Sequence, residues 1–233
     1  MKIQLRPHYV CAFSLTFHMS LTKLIHMNES SIETLLFGGT FDPIHHGHLI
    51  VARHVAEALG IRRVLLVPAA ANPLKGHAQT TGPQRMEMAR LATAGDPLFE
   101  VSDVEITREP PSYTIETVEA LQRQGVKQPG LLIGADSIDE LSKWHRVKEL
   151  LQAVRLVIVP RPPRNPQDVR QRLATMAEQL PATQDSAVIA GPMVEISATN
   201  IRKRIQNHRP IRYFLPEAVA EFIKSNELYM KPK

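Results

Sequence analysis

The run Gly38-Gly39-Thr40-Phe41-Asp42-Pro43-Ile44-His45-His46-Gly47-His48 concentrates the chain's strongest chemical signal in one short loop. Two glycines directly after an apolar run let the backbone come close to a ligand. A helix starting just beyond them presents unpaired N–H groups and the positive end of its dipole, so the expected occupant is an anion. His45 and His48 lie three positions apart at that helix start, so their imidazoles face the same side and both can donate to one phosphate. Gly47 keeps the turn between them open. The run is neither a Walker loop, since no Gly-Lys-Ser/Thr follows, nor the GxGxxG fingerprint. Spacing alone leaves two other readings open: a pair of surface histidines capping a helix, and a metal site built from His45, His46 and His48.

These residues need a scaffold. From Thr34 onward short β-favouring runs alternate with helix-period segments, the pattern of a parallel sheet with crossover helices. Residues 34–37 read as a first strand, and 47–59 as a helix with Leu49, Ala52, Ala56 and Leu59 on one stripe and Gly60 as its stop. Residues 63–67 read as a second strand, followed by a helix that Pro83 opens and Gly95 ends. The pattern then gives a third strand over 99–106, a helix over 113–124, and short buried strands at 131–133 and 156–159. A polar segment containing Trp144, the single tryptophan, lies between those last two strands. Beyond the Pro-rich stretch 160–166, a small helical region is expected. Ligands of open α/β sheets lie past the carboxyl ends of the strands, so the loops after Phe37, Val67, Ile133 and Val159 are expected to converge on one crevice.

Composition bounds the alternatives. The 233 residues are 43% apolar and 22% charged, which is ordinary for a globular protein and excludes collagen, coiled coil and wholesale disorder. Three of the five net positive charges come from Lys2, Arg6 and Lys23, in a head with no acidic residue before Glu29. No dense Lys/Arg cluster interleaved with aromatics follows, so no nucleic-acid partner is expected. No window is apolar enough for a membrane helix, and the lone Cys11 fits a reducing compartment, so the expected location is cytoplasmic. Residues 1–30 show neither helical nor strand period, and Met19 and Met27 are alternative starts. The expectation is a disordered or misassigned head at 1–30 and a single domain over 31–233.

The HxGH element at 45–48 resembles that of the nucleotidyltransferase superfamily related to class I aminoacyl-tRNA synthetases. Its partner stands near the other end as Ile196-Ser197-Ala198-Thr199-Asn200-Ile201-Arg202, which resembles the ISxTxIR element. Supporting segments lie at 110–117, 133–137, 143–145, 159–162 and 215–219, so the resemblance covers nearly all of 35–229. Within the superfamily it is closest to the bacterial nicotinate-nucleotide adenylyltransferase family. That resemblance implies an α/β fold, a Rossmann-like doubly wound parallel sheet with a small C-terminal helical portion. It also implies transfer of AMP from ATP to nicotinate mononucleotide. In the ATP half, His45 and His48 would be the catalytic contacts to phosphate. Gly38, Gly39, Thr40, Phe41, Lys75, Gly134, Asp136, Arg161, Ser197, Thr199 and Arg202 would hold the nucleotide. Magnesium would arrive on the phosphates with no metal ligand expected from the protein. Two departures stand out: Asn72 and Leu74 beside Lys75, and Ala198 where many relatives carry serine.

In the acceptor half, Ser112 is an N-cap candidate. The N–H groups of Tyr113, Thr114 and Ile115 would then face a carboxylate and select acid over amide. Trp144 offers a flat face to a pyridinium ring, where the family places a stacking aromatic, with His145 beside it. A nicotinamide-mononucleotide or pantetheine-phosphate acceptor, a nucleotide sensor and a histidine metalloprotein are the rival readings. Oligomeric state is not legible. Deleting residues 1–26 is expected to leave melting temperature and reaction rate unchanged, checked by thermal melts and initial rates.

Overall fold

The alternation of apolar residues within each strand dictates a sheet covered on both faces. Leu35, Phe37, Val64, Leu66, Leu132, Val157 and Val159 pack into one apolar cluster. Their immediate neighbours Leu36, Leu65, Val67, Leu131, Ile133, Leu156 and Ile158 pack into a second. Successive side chains of a strand point to opposite faces, so this is the pattern of a sheet buried on both sides. Each fully buried leucine or isoleucine contributes about 1.5–3 kcal/mol to holding the layers together.

The computed structural model describes residues 32–70, 78–109, 111–160, 164–192 and 194–230. The expectation for the head at 1–30 therefore lies outside the described residues. From Ile32 onward the chain forms one compact unit. Among the described residues its strands are β1 (Thr34–Gly39), β2 (Arg63–Pro68), β3 (Phe99–Val101), β4 (Gly130–Gly134), β5 (Arg155–Val159) and β6 (Ala187–Val188). They lie in the order β3-β2-β1-β4-β5-β6, and every pairing is parallel. This is the doubly wound α/β arrangement expected, with the strand order reversing between β1 and β4.

Helix α1 (His46–Leu59) ends where Gly60 takes a left-handed backbone at φ 67°. Helix α2 (Gly82–Thr93) starts with a reciprocal cap: Gln84 N–H donates to Thr81 Oγ1 and Thr81 N–H to Gln84 Oε1. Helix α3 (Thr114–Arg123) leads to β4, and α4 (Val147–Ala153) to β5. Helix α5 (Pro166–Met176) is capped by Asn165, and α6 (Ala198–Gln206) by Ser197, whose hydroxyl accepts from Asn200 N–H at 3.2 Å. Helix α7 (Glu217–Ser225) closes the set.

Three expectations change. The third strand stops at Val101, because Thr107 N–H turns back to Asp103 O and Arg108 N–H to Glu105 O, which curls 103–108 into turns. The polar segment after β4 winds into 3₁₀ turns over Ala135–Lys143. The region after the Pro-rich stretch also adds β6, whose two residues are too few for a periodic signal. Ile201, Leu215, Val219 and Ile223 of the C-terminal helical portion share the apolar cluster of α1 and α2, so that portion covers one face of the sheet.

Candidate active site

Strand β1 delivers the glycine loop at the switch between β1 and β4, where open α/β sheets place their ligands. A side chain on Gly39 would come within 2.8 Å of the Phe41 ring, so glycine is required for Phe41 to fold under the loop. Phe41 is buried and itself takes a left-handed backbone at φ 48°. The chain then reaches His45, the N-cap of α1. The His45 and His48 rings stack at 3.7 Å, 20° from parallel, and Phe41 meets His48 edge-on at 5.1 Å. His45 N–H donates to His48 Nδ1 at 3.3 Å. An accepting Nδ1 carries no proton, so the neutral His48 ring keeps its hydrogen on Nε2, in the donor form a phosphate requires.

The second motif meets the first. A β-carbon on Gly47 would lie 3.5 Å from Cβ of Ile196 and 3.0 Å from the His45 ring, so the start of α1 and the residues leading into α6 are in van der Waals contact. Arg202 Nη1 donates to the carbonyl of Asp42 at 2.6 Å and its Nη2 to Thr199 Oγ1 at 3.2 Å. Ser197 and Thr199 are exposed beside it. Two helix N-termini, each with roughly half a positive charge, and one guanidinium are thus side by side.

The loop rests on a polar floor that the sequence reading missed. Arg85, only 2% exposed, donates from Nη1 to the carbonyls of Thr40 at 2.9 Å and Ala69 at 2.5 Å, and from Nη2 to Ala70 at 3.3 Å. It thereby ties the chain after β1 to the chain after β2. The available signal was a charged residue on the same stripe of α2 as Ala89 and Thr93, both buried. The Asp42 carboxylate accepts from Thr80 Oγ1, Tyr229 OH and Gln79 N–H at 2.6, 2.7 and 2.7 Å. Beside the floor, Glu105 accepts from Thr117 Oγ1 at 2.7 Å and from the Ala70 N–H.

On the acceptor side the cap differs from expectation. Tyr113, not Ser112, is the N-cap of α3, and the Ser112 hydroxyl is buried with no hydrogen-bond partner among the described residues. Residue 112 is one position too early, because α3 begins only at Thr114. The N–H groups of Thr114 and Ile115 still open the helix. Tyr113 and His145 are brought together, with ring centroids 4.3 Å apart. Trp144 is half-buried against the second apolar cluster. Gly134 ends β4, and Asp136 is exposed in the first 3₁₀ turn after it. Lys75 and Arg161 lie outside the described residues. Among the described residues no group of three or more histidines, cysteines and carboxylates is placed to hold a metal ion.

The cytidylyltransferase-like family model matches residues 36–204. A probable nicotinate-nucleotide adenylyltransferase from Roseiflexus sp. (strain RS-1) is 42% identical over 202 residues, covering 86% of this chain and 99% of the relative. The chain belongs to the nicotinate-nucleotide adenylyltransferase family. Another member, from Herpetosiphon aurantiacus, is 38% identical over 84% of this chain and 97% of its own length. In fold the chain is similar to the Plasmodium falciparum nicotinic acid mononucleotide adenylyltransferase complexed with NaAD, with a TM-score of 0.67 at 16% identity over 85% of this chain and 97% of that one.

Burial dominates the Glu105 carboxyl and holds its pKa above the ordinary carboxylate value, with the Thr117 hydroxyl, the Ala70 N–H and the nearby Arg108 and Arg85 opposing the shift. The protonated group favours the folded state, so its contribution is complete below the unfolded carboxylate pKa and is lost as pH rises through the raised folded value. Thermal melts across the acidic-to-neutral range are expected to show wild type losing stability relative to Glu105→Gln as pH rises. A difference moving the other way would mean that the neighbouring guanidinium groups stabilise the ionised form.

Proposed function

We infer that the chain joins the AMP portion of ATP to nicotinate mononucleotide, releasing pyrophosphate and leaving nicotinate adenine dinucleotide. The observation that carries this reading is the contact between the two motif segments, Gly47 against Ile196 and Arg202 against the Asp42 carbonyl. That contact brings both helix starts and a guanidinium together, a set of donors suited to a triphosphate.

The chemistry needs no general base. A phosphate monoester has a second pKa near 6, so the acceptor's 5′-phosphate oxygen is already anionic at neutral pH. It attacks the α-phosphorus, a new P–O bond forms, the bond from the α-phosphorus to the bridging oxygen breaks, and the electron pair leaves on pyrophosphate. The protein's task is alignment and charge neutralisation. In this reading His45 and His48 donate to the phosphates beside the N–H groups of the α1 start, and Gly38, Gly39, Thr40 and Phe41 shape the loop. Ser197, Thr199 and Arg202 hold the β- and γ-phosphates. Gly134 and Asp136 lie against the nucleoside, with Lys75 and Arg161 as further nucleotide contacts. A divalent metal accompanies ATP, and we take it to be magnesium, carried by the phosphates and neutralising the leaving group.

For the acceptor, the N–H groups at the start of α3 face the pyridine carboxylate, while Trp144, with Tyr113 and His145, supplies aromatic surface for the ring. An amide there would set its own N–H₂ against donors, at a cost of about 1–3 kcal/mol for each unpaired group. The described residues contain no helix long and apolar enough to cross a membrane, and the nucleotide substrates fit a cytoplasmic enzyme.

His48→Ala and His45→Ala are each expected to lower kcat by about two orders of magnitude or more with circular dichroism unchanged. Wild-type turnover would remove that histidine from the mechanism. In parallel assays following pyrophosphate, nicotinate mononucleotide is expected to exceed nicotinamide mononucleotide in kcat/KM. Equal or faster reaction with the amide would overturn the acceptor assignment.

A further inference from the structure

Tyr229 lies 187 residues from Asp42 in the chain, yet its hydroxyl donates to Asp42 Oδ1 at 2.7 Å, with the Met88 sulfur 3.9 Å away. Both residues are buried, Tyr229 to 6% exposure and Asp42 to 4%. Tyr229 adopts a left-handed backbone at φ 63°, which a bulky L-residue enters only against steric resistance and keeps only where surrounding contacts over-determine it. Burial and the facing Asp42 carboxylate push the phenol well above its ordinary pKa, so it remains a donor.

The same Asp42 carries a second connection. Its carbonyl receives the Arg202 guanidinium at 2.6 Å, and its neighbour Phe41 has the left-handed turn that sets the loop. A displacement of Asp42 therefore moves the anchor of Arg202. Among the described residues no hydrogen bond links Tyr229 to the acceptor side, where Tyr113 and His145 pair with each other.

We propose that Tyr229 is a positioning residue for the ATP half of the site: by holding Asp42 it sets the carbonyl that orients Arg202 toward the triphosphate. The proposal deepens the adenylyltransferase reading and rests on it for the role of Arg202. It explains why a tyrosine near the chain's end sits in a backbone conformation unfavourable to it, and why one buried carboxylate gathers donors from segments on either side of α2. The hydroxyl is the working group, since the ring alone would fill the apolar space beside Met88.

The test is Tyr229→Phe in the full chain. A hydrogen bond to a charged acceptor is strong enough for its loss to cost about tenfold in kcat/KM for ATP, and that is the expected result, with KM for nicotinate mononucleotide at saturating ATP unchanged. In an Arg202→Lys background the effect of Tyr229→Phe on ATP is expected to shrink, because the step it acts through is already impaired. Equal losses for both substrates, an undiminished effect in the Arg202→Lys background, or wild-type ATP parameters would each overturn the proposal. If Tyr229→Phe does not fold, Thr80→Val removes another donor to the same carboxylate oxygen and must reproduce the ATP-selective loss. Calorimetric binding of a nonhydrolysable ATP analogue to the same variants reads the loop without any acceptor. Weaker analogue binding with no transfer to nicotinate mononucleotide by wild type would sink the acceptor reading and leave the Tyr229 assignment standing.

Discussion

The contact between the α1 start and the chain leading into α6 governs everything else in the site. Helix N-termini carry partial positive charge, and two of them are held together only if something other than their dipoles brings them close. Here the bond from Arg202 to the Asp42 carbonyl bridges the two segments, and the missing side chain at Gly47 leaves room for the His45 ring, 3.0 Å from where a β-carbon would stand. The consequence is a concentration of donors around the two helix starts, with the Asp42 carboxylate engaged by donors of its own. Such a place attracts phosphate and favours charge developing on phosphoryl oxygens.

Holding that arrangement requires buried polar groups, and Arg85 and Asp42 find their partners in different ways. Among the described residues Arg85 forms no salt bridge; it donates to three backbone carbonyls, and the Asp42 and Glu105 carboxylates lie near enough to act on its charge. Asp42 meets the opposite requirement with three donors from two distant parts of the chain, residues 79–80 and Tyr229. A buried carboxylate satisfied in this way is rigid, since losing any donor exposes it to the full desolvation cost. The floor beneath the phosphates is thus built from hydrogen bonds of fixed direction, and the apolar clusters on either face of the sheet keep water from competing with them.

Much of this was legible from particular residues. The glycine pair, the His45/His48 spacing, Gly60 as the stop of α1 and Pro83 at the start of α2 are local features, legible from local chemistry. The failures were also specific. The third strand was read too long because the apolar residues Val104 and Ile106 continued a β-like pattern while backbone bonds within 103–108 turned the chain. Ser112 looked like a cap by type, but α3 begins after Tyr113. Arg85 drew no reading at all, and Asp42 was quoted within the motif without a role.

By itself, the sequence determined the alternation of strands and helices, the identity of the anion-binding loop and the family to which the chain belongs. All of these depend on short-range periodicity, on backbone freedom at glycine, or on motifs contiguous in the chain. Which residues hold that loop in shape was decided only by the tertiary structure. Thr80 and Arg85 reach it from the start of α2 and Tyr229 from far beyond, and no spacing along the chain encodes a hydrogen bond between residues 42 and 229. Those partners were selected by burial, because a carboxylate or guanidinium removed from water takes whichever donors or acceptors the fold delivers to it.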